Sequence, residues 1–332
     1  MAADTKPGSD EALHPLASRD ELREARYHRN GFVVLFAILV VAPAVLYPVF
    51  LMQALCFALF ACAFNLLLGF GGLLSFGHAM FLGMAGYLSA HAAKHWGFTP
   101  ELAILTGTGT AAALGFVTGL IAIRRQGIYF AMITLALAQM VFFYCVQAPF
   151  TGGEDGIQAV PRGKLLGLVP LQGLAMYYTV LAIFAAGVLL IHRVIHSPFG
   201  QVLKAIRDNE PRAISLGYRT ERYKLAAFVM SAALSGLAGA TKAIVFQLAS
   251  LTDVHWTMSG EVVLMTLVGG LGTVFGPVVG AFVLVAMQSY LSQLGAWFTV
   301  AEGVIFVACV LAFRRGIVGE LEAWLRRRRQ KH

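Results

Sequence analysis

The sequence predicts an all-α, polytopic helical membrane protein with about 8–10 transmembrane or re-entrant helices. Two observations carry this. Of its 332 residues, 58% are hydrophobic and 13% charged, and the mean hydropathy is +0.73, far above that of a soluble globular domain. The apolar residues also fall in long continuous runs rather than alternating ones, which indicates helices and not a barrel, because a helix satisfies its own backbone inside hydrocarbon.

The runs give ten candidate spans: 31–50, 52–69, 72–93, 101–123, 127–148, 174–194, 223–247, 258–272, 274–294 and 297–313. Glycines interrupt 72–93, and 258–272 is short for a hydrocarbon core of roughly 30 Å, so either can be broken or re-entrant. The net charge of +8 suggests nucleic acid, but the basic residues cluster at the ends of apolar runs, and no nucleic-acid partner is expected. Threading the spans with the amino terminus inside puts Arg124 and Arg125, the Arg193–Lys224 loop and the Arg314–Lys331 tail on the cytoplasmic side. The expected organisation is a cytoplasmic tail over 1–30, a membrane domain over 31–315 and a basic cytoplasmic tail over 316–332. The first tail carries Arg19, Arg23, Arg26 and Arg29 and lacks the short apolar stretch and cleavage site of a signal peptide.

Cys56, Cys62, Cys145 and Cys309 all lie in apolar runs without metal-like or redox-like spacing, so they read as packing residues. The lone Gly163-Lys164 is followed by Leu165, and Gln158 stands where a phosphate-cradling loop needs its first glycine. There is no H-E-x-x-H and no G-x-S-x-G. The chain therefore reads as a non-enzyme with no catalytic, metal or cofactor site of its own.

Two glycine-dense neighbourhoods resemble one another: Gly71-Gly72-Leu73 before Phe76-Gly77, and Gly269-Gly270-Leu271 before Phe275-Gly276. Broken helices meeting at a translocation path and close packing through small residues, as in Gly115-x-x-x-Gly119 and Gly276-x-x-x-Gly280, both account for them. Lys242, Glu261 and Glu302 lie near predicted span ends, where they snorkel or pair locally. Asn65, Ser75, His78, Gln139 and Gln247 are the path candidates, with interhelical hydrogen bonding as the alternative.

The loop over 195–222 is the most informative segment. From Gln201 to Arg207, Val202, Leu203 and Ile206 make an apolar stripe beside Lys204 and Arg207, and Pro211 stops the helix. Asn209 then caps a second short helix with Pro211 in its first turn, an apolar face of Ala213, Ile214 and Leu216, and Gly217 at its end. Exposed apolar residues on such a pair need a partner or the bilayer to cover them.

At this point the chain resembles the permease subunits of bacterial ATP-binding-cassette importers for branched-chain amino acids. The resemblance rests on Asn65–Gly69, Gly72–His78, Gly83–Tyr87, Thr151-Gly152-Gly153 with Gly156-Ile157, Ser197–Gly200, Ala205–Glu210, Leu216-Gly217, Tyr223–Ala226, Ser235–Gly239, and Gly269–Thr273 with Gly276-Pro277. It implies a permease in the bacterial inner membrane that moves branched-chain or related hydrophobic amino acids inward. Its implied partners are a homologous second permease, two cytoplasmic ATPase subunits that bind ATP and Mg, and a periplasmic substrate-binding protein. The loop after Pro198-Phe199-Gly200 is implied to dock the ATPase, with Arg207, Asp208, Asn209, Glu210 and Arg212 giving charged and polar contacts. Leu203, Ile206 and Ile214 are expected to supply buried area, and Gly217 to close the segment. Thr151, Gly152 and Gly153 are implied to face the binding protein. The same machinery serves urea or short amides as an alternative, and a self-contained ion-coupled carrier is the rival from another class.

Overall fold

The computed structural model describes residues 31–165, 167, 169–291, 297–312 and 316–320. The expected 1–30 tail lies outside them, as do residues 321–332 of the expected basic tail. The chain divides into two units, residues 1–45 and 46–332. In the first, helix α1 spans Gly31–Ala44, with Phe32 and Phe36 stacked at 6.3 Å.

The second unit is a helical bundle. Helix α2 (Pro48–Asn65) continues through a π-helical turn, Leu66–Phe70, and is followed by α3 (His78–Lys94), α4 (Pro100–Ala122), α5 (Ile128–Gln147) and α6 (Gly173–Ile195). Then come α7 (Pro198–Asp208), α8 (Glu210–Ser215), α9 (Thr220–Phe246), α10 (Trp256–Gly269), α11 (Gly276–Leu291) and α12 (Phe298–Ala312). Four two-residue strands form two small antiparallel pairs, β1 (Ile157–Gln158) with β4 (Leu248–Ala249) and β2 (Lys164–Leu165) with β3 (Val169–Pro170). The expectation of an all-α polytopic membrane protein holds: α2 with its π-turn, α4, α5, α6 and α9 are each long and apolar enough to cross a membrane.

Each of the ten apolar runs contains a helix, with shifted boundaries. The first break falls at 45–47 instead of 51, because Pro48 fits the first turn of α2, where its missing N–H costs nothing. The 72–93 run becomes helical only at His78, after an irregular segment from Gly71 to Gly77. Helix α10 has 14 residues, about 21 Å at 1.5 Å per residue, too short to cross roughly 30 Å of hydrocarbon.

Helices α2 and α9 make the core. Helix α9 packs against α2, α3 and α4, and α2 also packs against α6, α10 and α11. Of the most apolar stretch of α2, 89% is buried within the protein, against 28% for α4 and for α5, which leave broad apolar faces outward. Small residues allow the close crossings. Gly115 and Gly119 meet Ala232, Leu225 and Phe228 of α9, while Gly276 and Gly280 bring α11 onto the end of α10. At Gly239 a Cβ would lie 2.7 Å from the Leu82 carbonyl carbon and 3.0 Å from its Cα, so α3 and α9 touch backbone to backbone. Gly239→Val is expected to force them apart at a cost of about 3 kcal/mol, read as a lower thermal-unfolding midpoint of the detergent-purified protein.

Candidate functional site

The helix pair between α6 and α9 folds by local chemistry. The Ser197 hydroxyl caps α7, accepting from Gly200 N at 3.4 Å and donating to Val194 O at 2.7 Å, with Pro198 in the first turn. Pro198-Phe199-Gly200 is thus the opening turn of α7 rather than a separate turn, and Phe199 stacks on Tyr223 of α9 at 5.5 Å. The Asn209 side chain caps α8, accepting from Arg212 N at 3.1 Å. Gly217, at φ +88°, carries the chain out of that helix in a conformation that favours glycine.

The burial of this pair corrects the expected docking face. Leu203 and Ile206 are 0% and 2% exposed and pack on this chain's own bundle, so they offer no area to a partner. Glu210 is also turned inward: Lys224 of α9 donates to both its carboxylate oxygens at 2.6 and 2.5 Å, with side chains 16% and 5% exposed. The outward face instead carries Asp208 and Arg212 beside Ile214, Leu216 and Tyr218, which are 56%, 70% and 42% exposed.

Arg207 lies between the two faces. Its Nε and Nη2 donate to Asp208 at 3.1 and 3.0 Å, while Nη1 donates to the carbonyl of Gly69 at 2.6 Å. Gly69 lies in the π-turn that ends α2. The arginine stem runs over Gly72, where a Cβ would be 2.7 Å from Arg207 Cγ. On its other side the π-turn meets the second glycine neighbourhood, since a Cβ at Gly69 would lie 2.7 Å from Gly272 N. Asn65 clasps the two, donating Nδ2–H to Thr273 O at 2.9 Å and accepting from Gly272 N at 3.0 Å through Oδ1. One continuous set of contacts therefore joins α7, the end of α2 and the α10–α11 turn.

A second polar cluster lies where the irregular segment enters α3. Ser75 is fully buried and accepts from Gly77 N at 3.2 Å, while Phe76 N donates to Thr134 Oγ1 of α5 at 3.1 Å. The amide of Ala79 donates to Ser259 Oγ at 2.9 Å, so the first turns of α3 and α10 meet. His78 is fully buried, 2.8 Å from Ser231 Oγ, with Phe64, Phe81 and Phe228 edge-on around it. Ser231 spends its proton on Ala63 O at 2.6 Å and therefore accepts from His78 Nε2–H, which fixes the tautomer. Ser231→Ala leaves the buried His78 N–H without its acceptor and is expected to cost about 1–3 kcal/mol. His78→Phe, which leaves the Ser231–Ala63 bond intact, is expected to cost less; thermal unfolding of the two variants orders them.

The other expected site residues lie apart from these clusters. Gln139 is half-buried on α5. Gln247, at φ +56°, donates Nε2–H to Val160 O at 3.0 Å and accepts from Val160 N through its backbone carbonyl at 3.2 Å, tying α9 to the 157–165 loop. Thr151 is fully buried, its hydroxyl 2.6 Å from both the Cys145 and Ala148 carbonyls at the end of α5. Only Gly152 and Gly153 of that trio reach the surface, alongside Glu154 and Asp155.

A bundle of apolar helices, with a charged helix pair at one end wired into glycine-broken turns, defines a multi-pass helical membrane protein. Residues 48–313 match the family described as branched-chain amino acid transport system / permease component, and the chain belongs to that family. The high-affinity branched-chain amino acid transport system permease protein LivM of Escherichia coli is 25% identical over 76% of this chain, and that of Salmonella typhimurium is 24% identical over the same share. The match spans 65% of the length of each of these curated relatives. The ribose import permease protein RbsC of Bacillus subtilis is 28% identical over 66% of this chain and 70% of its own length. No solved structure is matched.

Proposed function

We propose that this chain is the membrane permease subunit of an ATP-driven importer in the bacterial inner membrane, moving branched-chain or related hydrophobic amino acids into the cytoplasm. ATP and Mg bind the partner ATPase subunits, and a second permease and a periplasmic binding protein complete the machine. Both termini face the cytoplasm, and the outward face of α8 docks the ATPase. The observation that carries this reading is the wiring of α7 through Arg207 to Gly69 and, through Asn65, to the Gly272 turn: a displacement delivered at the surface reaches two broken helices. The LivM relatives support the choice of cargo. The rival, a self-contained ion-coupled carrier, has few charged groups to work with: Lys242 pairs with Asp253, Glu261 accepts from Gln288 at 2.9 Å, and the Glu302 side chain lies outside the described residues.

The likeness to a ribose permease favours one second reading, a neutral hydroxylated cargo. The test is uptake into proteoliposomes holding this chain with a partner permease, ATPase subunits and a binding protein of the same organism. ATP-dependent accumulation of leucine, isoleucine or valine, without ribose or urea, is expected. Accumulation of ribose or urea instead overturns the amino-acid assignment, and uptake without any ATPase overturns the importer.

A further inference from the structure

The end of the bundle away from α7 and α8 contains a charged pair that the coupling contacts do not use. Lys242, one turn from the end of α9, pairs with Asp253, and their side chains are 17% and 13% exposed. Asp253 comes from the Leu251–Asp253 turn that runs into α10. That turn presses on Gly83 of α3, where a Cβ would lie 2.8 Å from Val254 N and 2.9 Å from the Asp253 carbonyl carbon. The Lys242 ammonium sits 5.2 Å from the centre of the Phe57 ring of α2. Tyr87, one turn beyond Gly83 on the same face of α3, is fully buried, and its hydroxyl has no hydrogen-bond partner. Helix α9, the Leu251–Asp253 turn and α2 thus bring together one positive group, one negative group and an aromatic face, with α3 packed against the turn.

We propose that Lys242 and Asp253 form a headgroup site for zwitterionic α-amino acids, the ammonium of Lys242 taking the carboxylate and Asp253 taking the amine. The assignment deepens the importer reading and rests on it. In a weakly solvated place, opening an ion pair leaves two charges without partners unless the incoming molecule brings both opposite charges. A zwitterion replaces one internal pair by two external ones, so net charge stays balanced throughout. A neutral sugar or amide replaces neither, and the pair stays closed to it. The Phe57 face beside Lys242 accommodates either cation.

Two measurements test this. In the purified full-length chain, thermal stabilisation by leucine is expected, with none from 4-methylpentanoate or 3-methylbutylamine, which carry one charge each. Equal stabilisation by either half-molecule, or none by leucine, overturns the site, and this readout needs no ATPase. In the reconstituted complex, Lys242→Met with Asp253→Asn is expected to keep its ATPase subunits yet lose leucine uptake at least tenfold. The swapped pair, Lys242→Asp with Asp253→Lys, is expected to stay as low, because the headgroup orientation is fixed. Recovery of uptake by the swap marks a purely structural ion pair and overturns the proposal, as does unchanged uptake in the neutral variant.

Discussion

Replacing Ile214 and Leu216 together with aspartate is expected to strip the ATPase from this permease while leaving the permease itself folded. Both side chains lie mostly in solvent, so their loss should change stability by less than about 0.5 kcal/mol each. At an interface, a buried apolar anchor of this kind contributes about 2 kcal/mol, about 30-fold in affinity, so losing both should lower affinity by about 30-fold to about 1,000-fold, depending on how far the two effects add. Affinity purification on a tagged permease, with the recovered ATPase quantified, checks it. The contrasting variant is Leu203→Asp, which places a charge at a fully buried position and should reduce the yield of permease itself.

The second large effect is expected at Arg207, and it is of a different kind. Arg207→Met removes the charged donor to Gly69 O but leaves the exposed face of α8 untouched. A hydrogen bond from a charged group contributes about 2 kcal/mol, a factor of about 30 if it is lost from the link between α7 and the π-turn. The ATPase should therefore remain bound and continue hydrolysing ATP, while uptake per ATP drops at least tenfold. Gly72→Val should act similarly, because its side chain would occupy the space through which the arginine stem passes. Measuring ATP hydrolysis and uptake in the same proteoliposomes separates this uncoupling from simple loss of binding.

These two outcomes differ because the helix pair α7–α8 has two faces, and only part of that was legible in its sequence. The capping by Asn209, the placement of Pro211 and the exit at Gly217 were readable because each depends on residues within one turn. The apolar stripe of Leu203 and Ile206 was equally visible, but a stripe says only that one side is covered, not whether a partner or the protein's own bundle covers it. Here the bundle does. Arg207 and Glu210 were read as partner contacts from the family resemblance, and both reach inward, to Gly69 and Lys224. The ten apolar runs marked the helices well, since hydrocarbon imposes continuous apolarity. Where a run begins with irregular backbone, as before His78, hydropathy does not register the break.

The long-range contacts were beyond local reading. Asn65 and Gly272 are 207 residues apart, and each is an ordinary membrane-helix residue until the fold brings both glycine neighbourhoods together. Their resemblance in sequence was the one available signal. Lys242 was read as a charge near a span end that snorkels or pairs locally, but its partner Asp253 comes from a turn whose path depends on the absence of a side chain at Gly83.

The most direct measurement is site-specific cross-linking of the assembled complex, with cysteine placed at Leu216 in one variant and at Leu203 in another. The outward face of α8 as the docking surface predicts a cross-link to the ATPase from Leu216→Cys and none from Leu203→Cys. A cross-link from Leu203→Cys with none from Leu216→Cys would contradict it.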